Sequence, residues 1–175
     1  EVRRIRDMRP SGDLLDVGCA YGFFLEAARE SGYRVRGVEI SAFAAAHARE
    51  SAGLDVRSGT FLEAGLDAAS CDILHADGVI EHLEDPAANV AEMARVLRPG
   101  GLAVLGTPNI ASFCARVYKE GFRLVEPNAH LYYFSPRTLT EMLRRRGFTV
   151  ERIRYPYFGP PYCNLRELWR LAATV

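Results

Sequence analysis

The chain has few cysteines, no long apolar run and no excess of charge of either sign, and each shortage narrows what it can be. Cys19, Cys71, Cys114 and Cys163 are its four thiols, far apart and with no CxxC pair among them. A zinc site or a disulfide framework is therefore disfavoured, and reduced, mostly buried thiols are expected. No stretch of about 20 apolar residues is available to span a bilayer, and Glu1-Val2-Arg3-Arg4 lacks the apolar core of a signal peptide. The expected location is cytoplasmic, with no stable membrane insertion. The chain opens on Glu1 rather than methionine, which weakens any inference from a missing leader. Lys+Arg and Asp+Glu are both 22, so no global field favours nucleic acid or an anionic membrane. The densest basic run, Arg144-Arg145-Arg146, closes an amphipathic stretch, where cations complement a helix dipole.

What is present reads as a globular protein. Hydrophobic residues make up 49% and charged residues 25%, which disfavours disorder and low-complexity architectures. The length suits one domain, 1–175, with a substrate-side insertion at about 107–134 and a tail at about 155–175.

Leu14 to Val17 is a short apolar run ending at Gly18, and Phe23 to Arg29 has helical character, so the first unit reads as strand, glycine turn, helix. Strand character returns at Arg34–Ile40, Asp55–Arg57, Cys71–Ala76 and Leu102–Gly106. Helical stretches lie at Ala42–Glu50 and Pro86–Leu97, the latter opened by a proline suited to a first turn. A helix is expected at Ala111–Lys119, another at Arg137–Arg146 behind the Ser135-Pro136 cap, and a further strand at Phe148–Tyr155. The tail carries a helical stretch, Leu165–Ala173. Strands alternating with helices predict a doubly wound, Rossmann-like α/β domain, its sheet mostly parallel with helices on both faces. Ligands of such sheets lie beyond the carboxyl ends of the strands, which directs attention to residues that immediately follow them.

Asp16-Val17-Gly18-Cys19-Ala20-Tyr21-Gly22 is the most informative segment. Glycines between a strand and a helix let a ligand approach the backbone, and the free amides of the helix start attract a carboxylate or phosphate. A dinucleotide fingerprint fails here, because Ala20 and Phe23 occupy the second and third glycine positions of GxGxxG. The lysine and hydroxyl residue of a P-loop are absent as well. Glu39 ends the second strand at about the spacing where a carboxylate takes both hydroxyls of an adenosine ribose.

LLDVGCAYGFFLEAA, GVEIS, CDILHADGVIEHLEDP and ARVLRPGG, in that order, resemble the class I S-adenosylmethionine-dependent methyltransferases over roughly Leu14 to Arg152. TPNIAS followed by HLYYFSPRTLTEMLRRRGF is similar to the subgroup with ubiquinone-type and sugar- or polysaccharide-tailoring O-methyltransferases. The resemblance implies S-adenosylmethionine as cofactor. Asp16, Gly18 and Gly22, with Cys19 and Ala20 between them, would shape the pocket for its methionine portion, and Glu39 would hold its ribose. Ile40, Gly59, Thr60 and Phe61 would border the adenine, with Thr60 where many members carry an acid, and Ala76 and Asp77 would close over the methionine end. The family's last strand, antiparallel to the one at Phe148, has no counterpart: the chain ends before it or the tail is diverted. The Leu168-Trp169-Leu171 face could then cover a partner, a membrane or the sheet edge, and an uncovered edge would favour a homodimer.

Alignment of a nucleophile with the activated methyl group does most of the chemistry, and a base such as histidine, which titrates near neutrality, assists a hydroxyl acceptor. His82, after the fourth strand, and His130, in the insertion, are the candidates. His47 reads as a helix residue and His75 as part of the fourth strand. Some ubiquinone-type relatives bind a metal through Glu-His and an acid three residues earlier; that position is Gly78 here and Asp77 is out of step, so no metal is expected, and Glu81 and His82 would orient the loop or face substrate. Arg116, Tyr118, Arg123, His130, Tyr132 and Tyr133 have the composition of a substrate wall or of a packed lid. The expected partner is a small-molecule acceptor carrying a hydroxyl, on a sugar, glycan precursor or other metabolite. A non-catalytic domain that keeps the cofactor site is the alternative, with an NAD-dependent oxidoreductase disfavoured by Ala20 and Phe23.

Overall fold

Apolar runs separated by glycine turns become parallel strands in the computed structural model, which describes residues 1–122 and 124–155. The order is α1 (Val2–Met8), β1 (Asp13–Val17), α2 (Phe23–Glu30), β2 (Arg34–Glu39), α3 (Ala42–Ala52), β3 (Val56–Ser58), β4 (Cys71–Asp77), α4 (Pro86–Val96), β5 (Leu97–Gly106), α5 (Phe113–Tyr118) and α6 (Pro136–Arg144). Strand order is β3-β2-β1-β4-β5, with every neighbouring pair parallel. The order reverses at β1 and β4, so the crevice for a ligand opens beyond Val17 and Asp77. The Rossmann-like sheet expected from the alternation is present.

Successive strand residues point to opposite faces, and the two cores follow from that period. Leu14 and Ile73 pack under α1, α2 and α3 with Ile5, Leu25, Ala28, Ala45 and Ala48. Leu15, Val17 and Leu74 pack the other way against Val90 and Met93 of α4, with Leu139, Met142 and Leu143 of α6 beside them. Side chains stop and start the helices as the sequence suggests. Asp85 accepts from Ala88 N ahead of Pro86, and Ser135 and Thr138 form a reciprocal capping box. Arg145 pairs with Glu141 at 3.0 Å at the end of α6, in keeping with its place at a helix C-terminus.

Two elements differ from expectation. Helix α1 was not anticipated; its Ile5 is fully buried and anchors it to α2 and the sheet. Phe148–Tyr155 forms no strand, although its alternation suggests one. A strand needs a ladder partner, and among the described residues β5 pairs only with β4, while Leu102–Gly106 and Phe148–Tyr155 line a common cleft of about 1540 Å³ instead of pairing. The Leu165–Ala173 stretch, Trp169 and Cys163 lie outside the described residues. Among the described residues no helix is long and apolar enough to cross a membrane. Cys19 and Cys71 are buried and Cys114 is partly so; burial pushes the Cys19 thiol up to about 12 and Cys71 up to about 11, away from nucleophilic use.

The amino-terminal ends of β1 and β4 are tied by charge. Arg34 Nε donates to Asp13 Oδ1 at 2.6 Å, while one Arg98 nitrogen reaches Asp13 Oδ2 at 2.8 Å and Asp72 Oδ2 at 2.7 Å. The Arg34 bond, aided by Arg98 against partial burial, holds the Asp13 carboxyl down at about 2. A carboxylate depressed in the folded state adds stability that is full above its unfolded value and lost as pH falls toward 2. Asp13→Asn is therefore expected to flatten the loss of stability between about pH 4 and pH 2, measured by denaturant unfolding at each pH.

Candidate active site

The chain leaves β1 through a tight loop that places its amides over the strand end. Gly18 and Gly22 are left-handed (φ +73° and +87°), and Ala20, at φ +47°, takes a conformation that costs a side-chain-bearing residue about 1 kcal/mol. The carboxylate of Glu39, at the end of neighbouring β2, holds this loop. Its Oε2 accepts from Ala20 N and its Oε1 from Ser41 N, both at 2.8 Å. Each oxygen keeps a second lone pair, so the tether does not exhaust the acceptor. Gly22 caps α2, and a Cβ there would overlap Leu54 Cδ1 and stand 3.2 Å from Ala48 Cβ. Gly22→Ala should cost about 2–3 kcal/mol through left-handed strain and overpacking, read from the denaturation midpoint. The close helix packing that a third glycine would permit in a dinucleotide site is made by Gly22, while Phe23 stands out in solvent.

Ile40 is 73% exposed just past Glu39, so it is an open apolar surface rather than core. Phe61 is 4% exposed and packed with Leu66 and Leu74 in the core, so its ring braces the sheet and only its backbone is left to border a ligand. Thr60 Oγ1 donates to Glu63 Oε2 at 2.6 Å and accepts from Glu63 N, closing the turn after Gly59. Cys19 and Ala76 are buried, leaving only their backbone to face a ligand, and Asp77 is exposed at the end of β4. The structure thus brings the glycine loop, Glu39, Ile40 and Asp77 to the carboxyl end of the sheet.

A second group forms beside it. Glu81 and His82 sit on a single 3-10 turn after β4, and the insertion folds back so that His130 meets them. Leu131 N and Tyr132 N donate to the Glu81 carbonyl at 2.8 and 3.1 Å, and the buried Glu81 carboxylate accepts from Thr107 Oγ1 at 2.9 Å. The two imidazoles stand edge to face with centroids 4.7 Å apart. His82 Nδ1 lies 2.8 Å from the Ala129 carbonyl and His130 Nδ1 3.1 Å from the Leu124 carbonyl. A carbonyl only accepts, so each Nδ1 is the donor in its contact, which leaves Nε2 as the ring atom not engaged by these carbonyls. His82, His130 and Glu81 all line the large cleft.

Among the described residues, those grouped so that they could hold a metal are these same three. One donor atom from each of Glu81, His82 and His130 lies within 4.8 Å of the others, a nitrogen-rich set with open positions that suits a transition-type divalent cation. The acid missing at Gly78 is matched by an imidazole from the insertion, which spacing around Glu81 could not reveal. Thr107 was likewise not singled out, since an isolated threonine after a strand carries no signal. Arg123 of the supposed substrate wall lies outside the described residues, and the Tyr132 hydroxyl donates to the Glu84 carbonyl at 3.2 Å.

Comparison with known proteins bears on this geometry. Residues 2–153 match the family model described as a methyltransferase domain. A probable S-adenosylmethionine-dependent methyltransferase of Mycolicibacterium smegmatis is 35% identical over 140 residues, covering 79% of this chain and 52% of the relative. The chain thus spans about half the length of that protein. A ubiquinone biosynthesis O-methyltransferase of Psychrobacter arcticus is 30% identical over 176 residues, covering 93% of this chain and 67% of that one. Among solved structures, an S-adenosylmethionine-dependent methyltransferase of Thermotoga maritima superposes with a TM-score of 0.70 at 27% identity, over 85% of this chain and 70% of the other. The match runs from α1 through the glycine loop and Glu39 to the segment beyond α6, and the chain belongs to the methyltransferase domain family, whose cofactor is S-adenosylmethionine.

Proposed function

We propose that the protein transfers a methyl group from S-adenosylmethionine to a hydroxyl of a small acceptor, on a sugar, glycan precursor or other metabolite. The observation that carries this reading is the tether between Glu39 and Ala20, which holds a carboxylate and a glycine loop together where the strand order reverses. The residues fit the cofactor: Glu39 offers ribose acceptors, Ile40 an apolar surface for adenine, and Gly18, Gly22 and Asp16 a close approach for the methionine portion. The bound cofactor supplies a methyl group already activated on a sulfonium. What remains for the protein is to aim the acceptor oxygen, exclude water and remove its proton.

His82 and His130 serve the last task. Both residues line the cleft and each Nδ1 is held by a backbone carbonyl, which leaves Nε2 of either ring to take the proton. The gathering of Glu81, His82 and His130 supports a second reading, in which they would hold a divalent cation that makes a bound hydroxyl more acidic. The imidazoles would then be ligands instead of bases. Two relatives named ubiquinone biosynthesis O-methyltransferases support oxygen as the nucleophile, while the superposed Thermotoga maritima protein is described as a possible histamine N-methyltransferase.

Calorimetric titration with S-adenosylhomocysteine, with NADH as comparison, tests the donor site. Binding of the former and not the latter is expected; the reverse result sinks the reading. Turnover on a panel of hydroxylated sugars, lipid-linked sugars and phenols then separates an enzyme from a domain that binds cofactor without reacting it.

A further inference from the structure

A buried hydrogen-bond partner for the cofactor loop stands on β4, at a histidine that the sequence reading left as part of the strand. Asp16 and His75 are directly opposite each other in the β1–β4 ladder, so their side chains leave the sheet on the same face. Asp16 is 3% and His75 6% exposed. His75 Nδ1 stands 2.7 Å from Asp16 Oδ1, and the Phe24 ring of α2 stacks on the imidazole at 3.9 Å between centroids and 19° between planes. The ring is therefore held in its plane by the helix and in its direction by the carboxylate.

We infer that His75 is a positioning residue for the cofactor: its Nδ1–H fixes Asp16 so that the other carboxylate oxygen, Oδ2, faces a cationic group of the methionine portion. This rests on the methyltransferase reading of the site. The chemistry favours a cation as the third party. Asp16 is surrounded by Glu39 on β2 and by Asp77 on β4, with the Cys19 thiol in the loop, and His75 alone among these can donate a strong bond to it. Burial, with the charges of Asp77 and Glu39, lifts the Asp16 carboxyl above the usual carboxylate range against the pull of His75. Among the described residues, the one side-chain bond made by Asp16 is to His75, through Oδ1. A buried carboxylate with an unused oxygen beside two further acids is a place where an ammonium or sulfonium group lowers the energy and an anion raises it.

The sign of the pH effect follows. A cation needs Asp16 ionised, so cofactor binding falls as pH drops through the Asp16 titration. Removing the His75 donor lifts that titration further and moves the acid limb to higher pH.

The test is the dissociation constant of S-adenosylhomocysteine from pH 5 to pH 8 for the unaltered protein, His75→Asn and His75→Phe. Asparagine places an amide donor near the position of Nδ1, whereas phenylalanine keeps the stack on Phe24 and has no donor. The expected result is a loss of about 10- to 100-fold for His75→Phe, the range of a hydrogen bond to a charged group, with the acid limb displaced upward. His75→Asn should stay within about threefold of the parent. If both variants bind as the parent does, or asparagine loses as much as phenylalanine while melting at the parent's temperature, the inference is wrong. Should His75→Phe fail to fold, nitrogen NMR of the unaltered protein decides: His75 must show a protonated Nδ1, and an unprotonated Nδ1 overturns the assignment. Failure of the unaltered protein to bind S-adenosylhomocysteine at any pH would instead refute the methyltransferase reading itself.

Discussion

Glu39→Ala is expected to weaken S-adenosylhomocysteine binding by about 100-fold or more, because it removes the charged acceptor proposed to take hydrogen bonds from two ribose hydroxyls. The same change frees Ala20 N and Ser41 N, each now 2.8 Å from the carboxylate, so part of the loss comes from a loosened loop. Glu39→Gln separates the two contributions. Its amide keeps one acceptor oxygen and has roughly the parent shape, and an intermediate loss of about tenfold is expected. Melting temperatures measured alongside identify any variant that fails by unfolding. If Glu39→Ala binds as tightly as the parent, the ribose does not lie at the end of β2.

The second large effect belongs to the imidazole pair. Once the acceptor screen yields a substrate, His82→Ala or His130→Ala should lower kcat by about 100-fold or more, the lower end of what a positioned base contributes. Affinity for S-adenosylhomocysteine should change little, since neither ring lies on the glycine loop or beside Glu39. A chelator then divides the two chemistries. A base acting alone is indifferent to chelation, whereas a cation held by Glu81, His82 and His130 leaves with the chelator, and activity returns on adding a divalent metal. Wild-type kcat in both variants would remove the pair from the reaction. Thr107→Val offers a subtler check, as it strips the Glu81 carboxylate of its 2.9 Å partner while leaving both imidazoles in place.

The candidate donor half of the site could be proposed from sequence because it is local. Asp16, Gly18, Gly22 and Glu39 each follow or end a strand, and in a parallel sheet chain direction alone brings strand ends to one side. The helix boundaries were nearly as plain, since Ser135, Asp85 and Pro86 act on amides a few residues away. For Phe61, position after a strand says where the backbone lies, but the direction of the ring is decided by the volume left among Leu66, Leu74 and their neighbours. Phe148–Tyr155 was misread because alternation describes a surface and cannot supply the ladder partner that makes a strand.

The sequence by itself determined the alternating α/β order, the glycine turn and the spacing of Glu39, because those depend on local conformation and on a period of two or of 3.6 residues. Tertiary structure alone decided that His130 would return to Glu81 and His82, that their Nδ1 atoms would be spent on the Leu124 and Ala129 carbonyls, and that His75 would stand against Asp16. Apart from the short reach from His130 to Leu124 within the insertion, those contacts join residues far apart in the chain, through strand register or a folded-back insertion. The physical reason is that such distances are set by how the whole sheet and its helices pack, which no short stretch of sequence contains.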